Sequence, residues 1–156
     1  MPSRRDALRV LAATAALPAL PRAQSPEPKF FSKDEFAVLS VLCDLMIPRT
    51  STPGAADAGV PLMIDEDMAE DTADGKILRE GIATMGGSKF LRLSAAEQNA
   101  ALAGVSDTEF FKALKRRTID AYYHTEAGLV QELGYHGNVA LPSFPGCSHP
   151  EHQRLD

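Results

Sequence analysis

Ahead of periodic apolar stretches the chain spells Ser-x-x-Glu, at Ser32–Glu35, Ser94–Glu97 and Ser106–Glu109. In this pattern the serine hydroxyl accepts an amide hydrogen of the first helical turn and the glutamate reaches back to the serine's own amide, so each occurrence marks a helix start. Nowhere does a run of valine, isoleucine or threonine alternate with polar residues as a half-buried strand requires. The expected fold is therefore all-α, a compact bundle of five to six helices with an irregular C-terminal tail. A chain of 156 residues is long enough for one such domain with a real core.

Punctuation residues divide the bundle. The first helix runs from about Lys33 to Ile47 and stops before Pro48, whose ring clashes with a preceding turn. Phe36, Leu39, Cys43 and Met46 form one apolar stripe, and Val38, Val41, Leu42 and Leu45 a second beside it. Such a helix has almost no wet side. It is either the central core helix or in part a docking face, and Phe36, Leu39 and Leu42, with Pro53, Gly54, Val60 and Pro61 of the turn-rich loop behind it, are the candidate partner interface. A second helix begins near Pro61, with Leu62, Ile64, Met68 and Ala69 inward. Asp65, Glu66, Asp67, Glu70 and Asp71 lack the glycine and alternation of a calcium loop and read as a solvated acidic face. Further helices are expected over Lys76–Met85, residues 95–103 and Asp107–Tyr123. The last of these has Phe110, Leu114, Ile119 and Tyr122 inward, and Lys112, Lys115, Arg116 and Arg117 as a basic surface patch. A final helix spans Glu126–Leu133, capped by Thr125 and ended by Gly134. The tail, 135–156, has no period.

The first 23 residues have a different character. Arg4 and Arg5 stand ahead of an apolar stretch, Val10–Leu20, that is far too short to span a bilayer, which takes roughly 20 apolar residues. A basic start, a short apolar centre and Ala23 before Gln24 give the form of an export leader. Ser3-Arg4-Arg5-Asp6-Ala7-Leu8-Arg9 resembles the twin-arginine pattern S-R-R-x-F-L-K, with Ala7 in place of Phe. Residues 1–23 are thus read as a twin-arginine signal, 24–31 as a linker and 32–156 as the domain. The leader carries four arginines and one aspartate. Without it, 12 basic residues face 20 acidic ones, and the formal charge moves from −5 to −8. An acidic body does not suit nucleic acid or an anionic lipid surface.

Little in the mature chain points to chemistry. Neither G-x-G-x-x-G nor G-x-x-x-x-G-K-[ST] occurs, there is no C-x-x-C-H for haem, and two cysteines cannot hold a four-cysteine iron–sulfur cluster. The one cluster of chemical residue types is Cys147, His149, Glu151 and His152. All are zinc ligands, though their spacing matches no standard finger. The alternative function is accordingly an independent exported metal-binding protein using Cys147, His149 and His152. In the competing reading Cys147 pairs with Cys43 in a disulfide that staples the tail to the first helix.

Met46-Ile47-Pro48, Thr52-Pro53-Gly54-Ala55-x-x-Ala58-Gly59-Val60-Pro61 with Ile64-Asp65 behind it, Phe110-Phe111, Tyr122-Tyr123 and Leu133-Gly134-Tyr135-x-Gly137 together resemble the gluconate 2-dehydrogenase subunit 3 family. The resemblance implies a small, non-catalytic, cofactor-free subunit of a periplasmic, peripherally membrane-associated sugar or polyol dehydrogenase. It implies a large partner of the glucose-methanol-choline type carrying FAD, with or without an iron–sulfur cluster. A multihaem cytochrome c subunit would supply haem. The small subunit would carry the export signal, through Arg4 and Arg5, and escort the folded flavoprotein through the twin-arginine translocase.

Overall fold

The computed structural model describes residues 27–70 and 72–137. Among them stand five α-helices: α1 (Lys33–Met46), α2 (Val60–Met68), α3 (Thr72–Thr84), α4 (Ala95–Ala103) and α5 (Glu109–Tyr123). A 3₁₀ helix at Gly87–Arg92 and a π-helix at Ala127–Glu132 complete the set, with no strand among the described residues. The chain is all-α, as the caps imply.

Helix α1 is the hub. Its capping box is complete: the Ser32 hydroxyl accepts from the Glu35 amide at 3.3 Å, and Glu35 Oε2 accepts from the Ser32 amide at 2.8 Å. Val38, Leu39, Leu42 and Cys43 are fully buried and every other position from 35 to 47 is at least half-covered, because α2, α3, α5 and the 3₁₀ helix all pack around it. Truncating Leu39 or Leu42 to alanine would cost about 2–5 kcal/mol.

Helix α5 buries Phe110, Ala113, Leu114, Thr118, Ala121 and Tyr122 against α2, α3 and α1. Ile119, expected inside, is 37% exposed. The inward line through 110, 114, 118 and 121–122 keeps the helical period, and Ile119 falls one step off it. Thr118 takes the core position instead, its Oγ1 3.6 Å from Cys43 Sγ.

Other boundaries shift for local reasons. Helix α3 starts at Thr72 rather than near Lys76, with Gly75 inside it. The Phe30 ring rests on that glycine, and a Cβ there would lie 2.6 Å from Phe30 Cζ. Helix α5 starts at Glu109 because Thr108, not Ser106, is its cap, accepting from the Phe111 amide at 3.2 Å. Phe90-Leu91-Arg92, between the expected helices, lies in the 3₁₀ helix, which inserts Phe90 under α1. Of α4 only Leu102 is buried.

Candidate functional site

The turn-rich loop between α1 and α2 is a structural latch. Ala55 N–H donates to Ile47 O at 3.0 Å, Ala58 N–H to Gly54 O at 2.9 Å, and Val60 N–H to Ala55 O at 3.0 Å. Asp44 of α1 accepts from the Ala56 amide at 2.8 Å, Tyr122 of α5 donates its hydroxyl hydrogen to Pro53 O at 2.9 Å, and Arg49 pairs with Asp57. A Cβ on Gly54 would lie 2.9 Å from both the Arg49 amide nitrogen and Asp44 Oδ1. Gly59 turns the chain into α2 at φ 83°, a conformation that side chains resist. Leu39, Leu42, Gly54, Val60 and Pro61, five of the seven candidate interface residues, are therefore buried inside the domain and offer a partner no surface. Phe36 and Pro53 are half-buried. The apolar residues of this region serve the fold, because α1 is enclosed by its own chain.

An open cleft of about 550 Å³ lies beyond the latch, between the end of α1 (Met46 to Pro48), Thr50 to Thr52, Ile119 and Tyr123 of α5, and Gln131 with Glu132 of the π-helix. Glu132 accepts the Tyr123 hydroxyl hydrogen at 2.9 Å, and this bond to a carboxylate raises the phenol above its ordinary pKa. The π-helix is held under α5 by Thr125, whose hydroxyl donates to Tyr122 O at 2.6 Å and accepts from the Gly128 amide at 3.2 Å. Gly128 sits so close that a Cβ would lie 2.4 Å from Tyr122 O. Sequence places an α-helix over 126–133; the close approach at Gly128 instead accompanies the wider π turn. From the last two residues of the π-helix onward, 131–137 are exposed throughout, with Leu133 at 60% and Tyr135 at 42%.

At the other end Asp65 departs from the acidic face expected for it. Its side chain is 0% exposed and accepts hydrogen bonds from three consecutive amides: Lys29 at 2.5 Å, Phe30 at 3.1 Å and Phe31 at 2.8 Å. Glu66, Asp67 and Glu70 do face solvent. The signal was present in the spacing, since 61, 64, 65 and 68 share one face of α2 and all are buried. Residues 29–31, expected within a linker, are docked onto the domain, and Phe31 belongs to its core.

The remaining polar groups serve structure. Cys43 is a buried free thiol whose pKa burial pushes up to about 12, so it is inert as a nucleophile. In the basic patch, Arg116 and Arg117 both grip Asp74 of α3, at 2.5 and 2.8 Å. Burial alone would raise the Asp74 pKa, but hydrogen bonds from the two guanidiniums outweigh it and hold the carboxyl below its ordinary range. Among the described residues no three His, Cys, Asp or Glu side chains are grouped to hold a metal, and no helix is long and apolar enough to cross a membrane. Arg4, Arg5, Cys147, His149 and His152 lie outside the described residues.

A family model described as gluconate 2-dehydrogenase subunit 3 matches residues 33–139, from the first residue of α1 to just past the exposed turn at 133–137. No curated protein and no solved structure matches.

Proposed function

The chain belongs to the gluconate 2-dehydrogenase subunit 3 family, and from that premise we propose that it is the non-catalytic small subunit of a periplasmic, FAD-dependent sugar or polyol dehydrogenase. Its role is to bind the large flavoprotein subunit and escort it, already folded, through the twin-arginine pathway on the signal at Arg4 and Arg5. The partner supplies FAD and a cytochrome c subunit supplies haem. This chain contributes a surface.

The observation that supports the reading is the position of the family-like segments. Met46-Ile47-Pro48, Tyr123 and the π-helix preceding Leu133 meet at one cleft, and Leu133 and Tyr135 follow it on the surface, although both are large and apolar. The buried members of the same segments, such as Gly54, Val60 and Tyr122, are accounted for by the fold. Leu133, at 60%, is the most exposed large hydrophobic among the described residues, and a large apolar side chain left on a surface marks a protein contact.

A flavoprotein folds around its cofactor before it crosses the membrane, so one leader on a tightly bound small subunit serves both chains. The test replaces Arg4 and Arg5 by Lys in a host expressing the large subunit. The partner flavoprotein is expected to remain in the cytoplasm, folded and flavin-loaded. Normal delivery to the periplasm would overturn the escort role.

A further inference from the structure

The docked segment Lys29-Phe30-Phe31 lies just after the leader, and each of its residues is attached to the body more than once. Lys29 gives its amide to Asp65 and its ammonium to Glu66 at 2.8 Å. Phe30 gives its amide to Asp65, rests its ring on Gly75, receives the Arg79 guanidinium over that ring at 4.1 Å and accepts from Arg79 Nη2 at 2.5 Å through its carbonyl. Phe31 gives its amide to Asp65 and buries its ring in the core, edge-on to Phe30 at 4.8 Å. All three amides converge on one carboxylate that is closed to water. A carboxylate has enough lone pairs to accept all three, whereas a neutral amide of the same shape would turn a donor toward them.

We infer that Asp65 fixes the boundary at which the leader is removed: its carboxylate clips residues 29–31 to the folded body, so that proteolytic processing ends upstream of Lys29. The inference rests on the reading of residues 1–23 as an export leader. Processing is hydrolysis of one peptide bond by water, catalysed by a signal peptidase, leaving a carboxylate on the leader and a new amine on the body. A peptidase acts on backbone that is free or transiently opened, and a segment bonded through consecutive amides opens rarely. A cut between Ala23 and Gln24 leaves five residues, Gln24–Pro28, ahead of the clip. Residues 29–31 are thus part of the domain, and Asp65 is a positioning residue for removal of the leader.

The test has two arms on the full chain. Amide hydrogen exchange of the purified protein is expected to show strong protection at Lys29, Phe30 and Phe31. Asp65→Asn, which keeps the volume and removes the charge, should raise their exchange about 10- to 100-fold. A role for Asp65 in packing alone predicts no change on this isosteric replacement. Arg79→Ala, at an exposed position, should raise exchange a few-fold at Phe30 with helical content unchanged, and it carries the exchange test if Asp65→Asn fails to fold. The second arm is the intact mass of the exported protein. It is expected to begin at or before Lys29 in the wild type and to become ragged across 29–31 in the variants. Unprotected amides at 29–31, a wild-type N-terminus beyond Lys29, or an exported chain that keeps its leader would each overturn the inference. Retention of the Arg4/Arg5→Lys variant in the cytoplasm tests the leader reading separately, and the exchange arm does not depend on it.

Discussion

Ahead of α1, residues 29–31 give three amides to one buried carboxylate and Phe31 enters the core; after α5, residues 131–137 are exposed, with Leu133 and Tyr135 on the surface. Both regions carry bulky apolar side chains; Phe31 buries its ring in the core, whereas Leu133 stays 60% exposed. Burying such a side chain is worth about 1.5–3 kcal/mol. Leu133 forgoes most of that gain within its own chain. The difference separates a segment that holds the fold together from the surface we propose for the large subunit.

The comparison breaks most severely at Asp65. Asp65→Asn should lower stability by about 3 kcal/mol in urea unfolding, since three donors lose a charged acceptor and two of their residues are not free to rehydrate fully. Gly128→Ala should cost about 2 kcal/mol, because the new methyl group meets the Tyr122 carbonyl, and the π-helix should lose exchange protection before α1 does. The exposed segment at 131–137 should respond the other way. Leu133→Glu should change unfolding by no more than about 0.5 kcal/mol while weakening retention of the large subunit.

A smaller effect concerns acid. The Asp74 carboxyl is held below its ordinary pKa in the fold, so its pairing with Arg116 and Arg117 stabilises fully above the unfolded value and is lost as pH falls through the folded one. The melting temperature should therefore decline below about pH 4, and Asp74→Asn should flatten part of that decline. The smallest signal is the thiol. Native Cys43 should resist alkylation at pH 8 and label quickly in denaturant, because burial holds its pKa near 12.

How far the sequence could be read depends on whether a signal is local. Ser94 and Glu97 form the expected reciprocal box, with the Ser94 amide 2.8 Å from Glu97 Oε2. Ser106 carries the same signature, yet Thr108 two residues on offers a competing hydroxyl and starts the helix instead. The all-α fold, the hub helix and most of its buried stripe follow from caps and periodicity. The burial of Asp65 was legible in its register but was outweighed by four acidic neighbours. The π turn at Gly128 depends on how closely two helices approach, and the enclosure of Leu39, Leu42 and Val60 depends on what packs over them. Neither is written in a window of ten residues. The interface we propose uses, for that reason, the few apolar residues that the fold leaves outside rather than those a sequence displays most plainly.

The central claim is that this small subunit works through its exposed C-terminal face. The most direct measurement is affinity purification of the tagged chain from cells co-expressing the large dehydrogenase subunit, followed by an absorbance spectrum of the eluate. Wild-type chain should bring down a yellow, flavin-containing partner, and Leu133→Glu should elute folded and colourless. A wild-type chain that elutes alone, or a variant that keeps the yellow partner, would contradict the account.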